Sequence, residues 1–535
     1  MSAYFLYAVL MVVPFEFHGT MNVTGGIDTT WGGVQMRPGL YGRWALRPTF
    51  TLYRMPIKMD FYFSTEDNKL RQRINTFSIS LNPEQLLLEY IKVPKFILAF
   101  KNIGIGNVTP IHSPYTLQGI GVKGFAFQFT PWKFFIAYAD GEVARPTPCS
   151  SERPAVFERK LRSVRLGVGK TAAAHFHFLY LEGADDPNSV PKCQDSSSIS
   201  YPYDNKVVGL DANLSLFKRR LNTSVQLFAS VTNNLASAPI DREYVEQVPD
   251  FLYNWVQPHF DIKVGVAGEL KSTYRHRTGD VSMSYKFISP GYNTFGNPSL
   301  KADREGIEIK VAQRIGRELS IRGRLSQYTS NVFNVDKTTY YDQRIGIGIS
   351  LHKPEVPVVV FNINAAFRFG KKGGNTISYS HVQAFSISFN HTVSTTNPTV
   401  LGLTYTYNES VSQRPYDKPT SYSHAGIFSM TKRLFDRFYL TNMLTITEYY
   451  VAASGHTTIF SLEVANSYKV RKNFTIDSRV NLSKQNEIKV IETGVASVIK
   501  MGKYGTLVFN IGGKRCVNSK KLSNFKLTTT YSLSW

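Results

Sequence analysis

His175 and His177 have the spacing best suited to chemistry, because an H-x-H pair on a strand puts both imidazoles on one face, where two neutral ring nitrogens can ligate a metal. A metal centre needs a third ligand, and none lies nearby in sequence. The pair therefore reads as polar lining, and no metal is expected. Asp185 and Asp186 can take a divalent cation, but Asp-Asp-Pro-Asn-Ser is also an ordinary turn sequence, and the turn is the reading adopted. Gly104, Gly106 and Gly119 precede no helix and so make no phosphate loop. Cys149, Cys193 and Cys516 have neither metal-site nor CxxC spacing. No nucleophile stands beside a base, so no catalytic residue and no cofactor is assigned, and the chain reads as a non-enzyme.

The elements that position these residues are strands. The chain has 535 residues, 13% of them aromatic, with 38 Gly and a formal charge of +23. Its mean hydropathy is only −0.19. No stretch beyond the N-terminus is apolar enough for a membrane-spanning helix. A chain rich in Tyr, Phe, Thr, Ser, Val and Ile, without long amphipathic helical patterns, fits an all-β protein with one wet face. The net charge would suggest nucleic acid if it were clustered, but it is spread along the chain and much of it sits in turns, such as Lys218, Arg219 and Arg220. Nucleic acid is excluded as a partner. Residues 4–15 form an apolar run of 12, suited to the core of a secretory signal, so residues 1–19 are expected to be signal-like and residues 20–535 a single domain.

Period-2 alternation bounded by turn residues predicts about 26 strands, with 24 to 28 compatible, among them 95–104, 117–129, 258–270, 317–329 and 339–351. Connections alternate in length, tight at Lys218 with Arg219 and at Ile315 with Gly316, long at 184–203 and 233–257. Short turns at one end and long loops at the other predict a single up-and-down antiparallel transmembrane β-barrel in the bacterial outer membrane, in contact with membrane lipid and lipopolysaccharide. Alternation assigns the faces. Ile345, Ile347 and Ile349 are lipid-facing, and Arg165, Lys263, Lys310, Arg314, Arg322, Arg324, Arg344 and Arg479 line the lumen, against Asp261, Glu308, Glu318, Asp342 and Asp477. Cys149 and Cys193 both fall in outer loops, where a disulfide between them is chemically permitted.

The chain ends on alternating apolar residues, Phe525, Leu527, Tyr531, Leu533 and the terminal Trp535. This pattern looks like the C-terminal signal read by outer-membrane barrel assembly machinery, which it implies as a partner. Several stretches resemble a family of Bacteroidota outer-membrane barrels without assigned function: Ser113 to Gly119 (SPYTLQG), Val164 to Gly169, Leu181 to Ser189, Asp204-Asn205, and Tyr292 to Arg304 (YNTFGNPSLKADR). The resemblance covers roughly 75–330 and implies compartment and fold without a site residue; Leu86 to Pro94 departs from it.

Two function classes follow. One is a channel or porin-like transporter, with the 233–257 loop and its Phe251, Leu252, Tyr253 and Trp255 folded inward as a constriction. Inward bases outnumber inward acids by eight to five, which predicts weak anion preference. The other is a scaffold or secretion partner with a plugged barrel that anchors envelope proteins. A first strand expected near residue 20 leaves no room before it for the plug domain of a TonB-dependent receptor.

Overall fold

The computed structural model describes residues 15–31, 38–66, 75–87, 93–149, 154–171, 173–191, 200–247, 249–353, 356–373, 375–393, 399–413, 421–451, 455–485, 488–517 and 523–535. Side-chain alternation organises these residues into 26 antiparallel strands. They are β1 (Phe15–Trp31), β2 (Leu40–Leu52), β3 (Met55–Ser64), β4 (Asn75–Leu81), β5 (Phe100–Val108), β6 (Val122–Phe129), β7 (Phe134–Ala144), β8 (Glu158–Gly169) and β9 (His175–Asp186). Then come β10 (Tyr203–Leu216), β11 (Leu221–Asn234), β12 (Lys263–His276), β13 (Gly279–Ile288), β14 (Arg304–Ile315), β15 (Leu319–Thr329), β16 (Thr339–Leu351), β17 (Val358–Lys372) and β18 (Asn375–Thr392). The last are β19 (Thr399–Gln413), β20 (Ser421–Phe435), β21 (Phe438–Val451), β22 (Gly455–Arg471), β23 (Phe474–Gln485), β24 (Ile488–Lys500), β25 (Thr506–Cys516) and β26 (Ser523–Ser534).

Each strand pairs with the next, and β1 pairs with β26 from Thr20↔Ser534 to Trp31↔Ser523, which closes the barrel. Closure leaves no unpaired edge, the condition for a sheet in lipid. One parity of every strand carries an apolar belt: Phe176, Phe178, Leu210, Leu227, Val266, Met283, Leu325, Ile345, Ile347 and Leu482 are all exposed on it. Exposed Phe96, Trp132, Phe217, Phe435 and Tyr504 gather at the end of the barrel where the even-to-odd turns lie. An apolar belt flanked by aromatics is the bacterial outer-membrane arrangement, and the protein is an integral outer-membrane barrel.

Several expected boundaries shift. Strand β1 starts at Phe15, inside the segment read as signal-like, and residues 1–14 lie outside the described residues. Lys95–Leu98 is a helical turn rather than the start of the fifth strand, and residues 117–121 precede the sixth. The span 258–262 is irregular, and β12 begins at Lys263. The expected alternation of loop length holds over most of the first half and fades in the second. There β17 and β18 are separated by two residues, and β21 and β22 by three. The weakest junction is β4–β5, where four residue pairs join the strands and the side chain of Asn107 accepts from the Phe77 N–H, 3.2 Å away.

Candidate functional site: a luminal plug beside an open basic wall

The parity opposite the apolar belt faces the lumen. On β8 to β13 it holds Leu161, Ser163, Arg165, His177, Leu179, Leu181, Asn205, Val207, Asp211, Phe228, Ser230, Ala267 and Ile288, all buried. Two connections bury them by folding into the barrel, residues 109–121 between β5 and β6 and residues 289–303 between β13 and β14. Residues 109–121 contain no Lys, Arg, Asp or Glu, so they bring little charge to desolvate.

The two segments clasp one another. The Gln118 N–H donates to the Gly296 carbonyl (2.9 Å), and the Thr294 hydroxyl donates to the Thr116 carbonyl (2.8 Å). Tyr292 donates to the Tyr115 carbonyl (2.6 Å), and the Asn297 amide to that of Pro114 (2.7 Å). A Cβ on Gly296 would stand 2.2 Å from the Thr116 carbonyl oxygen, so only glycine permits this approach. The pair is then tied to the wall. Tyr115 donates to Glu269 on β12 (3.1 Å) and stacks on Phe228 of β11 at 5.3 Å. Asn205 of β10 accepts from the Phe295 N–H (3.1 Å) and donates to the Asn293 carbonyl (3.0 Å). On β12, Gly265 lets the backbone of Gly291 and Tyr292 lie on the wall, with Tyr292 N only 2.1 Å from where a Cβ would be. Burial, reinforced by the Glu269 carboxylate, pushes the Tyr115 hydroxyl up, and burial does the same for Tyr292. Both stay protonated and donate.

Beneath the plug Arg165 is 5% exposed. Its guanidinium donates to Asp211 Oδ2 (2.6 Å), to His177 Nδ1 (3.0 Å) and to the carbonyl of His112. His112 Nδ1 bonds Ser163 Oγ (2.7 Å), and Ser163 donates onward to the Tyr180 carbonyl. Burial first, then the Arg165 charge, holds His112 down to about 4, so it is neutral at pH 7. Asp211 also sits 3.4 Å from His175 Nε2, which supplies the third group that the H-x-H pair lacked in sequence. Arg165 occupies this cluster, bonding two of its three members, and a cation there would have to displace a guanidinium. The cluster is thus an anchor for the plug.

The plug stops at β13, and on the remaining wall the long basic inward side chains meet open space, while small ones such as Ser326 and Thr528 are buried. Lys310, Arg324 and Arg479 are half-exposed there, each within 3.0 Å of a carboxylate: Lys310 and Arg324 share Glu308, and Arg479 takes Glu463. Arg322 and Arg344 are exposed and have no ion pair among the described residues, nor does Arg314 near the tight-turn end or Lys263 near the outer end of β12. Asp342 pairs loosely with Arg368 (3.7 Å), and Asp477 lines a cavity of about 570 Å³ with Arg479 and Lys526. Asp261 and Glu318 fall in connections rather than strands. On β26, Phe525 stands exposed on the apolar side, and Leu527, Tyr531 and Leu533 share its parity. Trp535 and Gly19 exchange backbone hydrogen bonds of 2.9 and 3.1 Å at the seam.

The expected constriction by residues 233–257 does not form. Trp255 packs on Tyr180, and its carbonyl accepts from Lys206 (2.5 Å); both partners are on the outward parity of β9 and β10. Toward their outer ends β9, β10 and β11 carry Tyr180, Glu182, Lys206 and Asn233 outward, a polar surface that the loop satisfies, with the Asn233 amide on the Val256 carbonyl (2.9 Å). Charge-free 109–121 finds its partners inside instead. Cys149 is disulfide-bonded, Cys516 is a free thiol, and Cys193 lies outside the described residues. A non-reducing digest should recover a peptide joining Cys149 to Cys193; both thiols alkylated before reduction would refute that pairing.

No family model matches the chain, and no curated protein matches it. Among solved structures it is similar to the siderophore receptor PirA from Pseudomonas aeruginosa, at 10% identity and TM-score 0.43, covering 97% of this chain and 80% of that one. It is similar to the alcaligin outer membrane receptor FauA from Bordetella pertussis, at 8% identity and TM-score 0.39, covering 96% and 76%. The translocation pore of the P pilus usher PapC matches at 9% identity and TM-score 0.31, covering 96% and 98%. At these similarities none of them bears on whether this barrel conducts.

Proposed function

We propose that the protein is an outer-membrane channel whose solutes pass along the bare half of the lumen, beside a fixed internal plug, with weak preference for anions. The observation that carries this reading is the exposure of inward side chains on β14 to β26: Arg324 at 50% and Arg479 at 59%, on the inner face of a closed barrel. Such groups are wetted only by a water-filled lumen. Four of the eight bases, Arg165, Lys310, Arg324 and Arg479, stand against three carboxylates, Asp211, the shared Glu308 and Glu463, which limits the preference, while Arg322 and Arg344 project uncompensated and favour anions.

Purified barrel in a planar bilayer with a salt gradient is expected to show steady channels and a reversal potential on the anion side. Arg322→Gln with Arg344→Gln should move that potential toward cations. Cation preference in the wild type, or no shift in the double variant, would sink the selectivity. The second reading, a plugged scaffold for envelope partners, draws on the luminal segments themselves. It predicts a barrel that stays shut in the bilayer and co-purifies with other proteins.

A further inference from the structure

We propose that the inner wall of β12 to β16 is a binding track for an oligoanion, a flexible chain with carboxylate or phosphate groups at regular intervals, and that this is the solute class the conduit admits. The proposal rests on the channel reading for its transport part; the binding part stands on the wall alone.

Cross-strand register arranges the bases in rows. Lys271 and Arg344 share one row with Glu308 between them. Lys310 lies opposite Arg324 in the next row, and Arg275 and Arg322 share the third with Asp280 and Ala312 between them. Arg314 follows in the fourth, toward the tight-turn end. Rows of one face are two residues apart, so the ladder climbs in steps of about 7 Å. Glu308 is shared by Lys310 (3.0 Å) and Arg324 (2.7 Å) and offsets one of their two charges. Among the described residues Arg314, Arg322 and Arg344 have no such partner. Two cavities form one groove along the ladder. A cavity of about 550 Å³ touches Arg322, Arg324, Arg344, Asn362 and Asn364. Another of about 360 Å³ touches Arg275, Arg277 and Arg314 at the tight-turn mouth. They meet at Asp280, Ala312 and Arg322. Gly346 and Gly348 keep the floor low beside the arginines, with the amide oxygens of Asn364 and Asn362 the nearest atoms over them.

The spacing selects the ligand class. The unpaired guanidiniums stand in separate rows, so they do not converge on one small anion. Successive charges along a uronate or polyphosphate chain can meet them in turn, and each guanidinium can bind bidentately. Several weak, exposed contacts also let such a chain leave again, as conduction requires.

The test is binding to the full-length barrel in detergent micelles, measured by thermophoresis and thus independent of whether the barrel conducts. Tetramannuronate and linear tetraphosphate are the probes, with orthophosphate and neutral cellotetraose beside them. Either oligoanion is expected to bind at least tenfold more tightly than orthophosphate, and which one binds better identifies the source of the charge. Arg322→Gln with Arg344→Gln should weaken binding at least tenfold. Lys218→Gln with Arg219→Gln, which removes the same net charge at a turn, should leave it within about twofold. Arg322→Lys should keep most of the affinity, which separates lost charge from misfolding. Equal binding of orthophosphate or of cellotetraose, or no binding of either oligoanion, would overturn the track. A barrel that binds oligoanions but never conducts overturns the channel reading and keeps the track.

Discussion

Replacing Arg165 with alanine should unseat the luminal plug and raise single-channel conductance several-fold, while heat-modifiable migration on gels shows the barrel still closed. The guanidinium serves three acceptors at once: Asp211, the His177 ring and the His112 carbonyl. Without it Asp211 is a buried carboxylate left with His175 at 3.4 Å and the Gln226 side chain but no full counter-charge, a loss of about 3–5 kcal/mol by the behaviour of broken buried pairs. The barrel ladder on either side runs through backbone bonds that the substitution does not touch, such as Arg165↔Leu179 within the β8–β9 register. Residues 109–121 are held mainly by isolated side-chain and loop bonds, so the loss appears there as local opening. Arg165→Lys keeps the charge but cannot span three acceptors and should open the plug partway. Wild-type conductance in the alanine variant would show that the plug does not depend on this anchor.

Acidification should open the same plug by about 30-fold in its seated-to-released ratio between pH 7.5 and pH 5, read as a rise in mean conductance. Seated, His112 is held at about 4; released into water it returns to an ordinary value near 6.5. The released state binds the proton more readily, so seating gains stability as pH rises. Above about 6.5 both states are neutral and nothing is lost. Below that value the penalty grows, reaching about 2 kcal/mol at pH 5 and its full extent below about 4, by the linkage relation. The groups around His112 are Ser163 and Arg165 on β8, with His177 on β9 and Asp211 on β10 behind the guanidinium. Protonation would put a second positive charge against Arg165. The variant His112→Gln should flatten the pH profile; if it keeps the full dependence, His112 is not the sensor.

The alternation of Ile345, Ile347 and Ile349 against Arg344, Gly346 and Gly348 was legible from sequence because strand period is a property of neighbouring residues. The number of strands followed from the same signal, summed along the chain. SPYTLQG and YNTFGNPSL are distinctive as stretches, and the absence of Lys, Arg, Asp and Glu from residues 109–121 and 289–300 is the signal in the sequence that these loops avoid water. What they pack against was not legible. Tyr115 and Tyr292 are 177 residues apart and meet only because the closed sheet brings the outer ends of β5 and β13 over one lumen. Their destination differs from that of the 235–262 loop because each found a complementary surface on opposite sides of one wall. Pairing was hidden for the same reason. Whether an arginine is neutralised, as Arg324 is by Glu308, or left free, as Arg322 is, depends on a neighbouring strand's register. Sequence by itself determined which side chains share a face; tertiary structure decided which of them touch, because contact across a barrel depends on closure and register rather than on order along the chain.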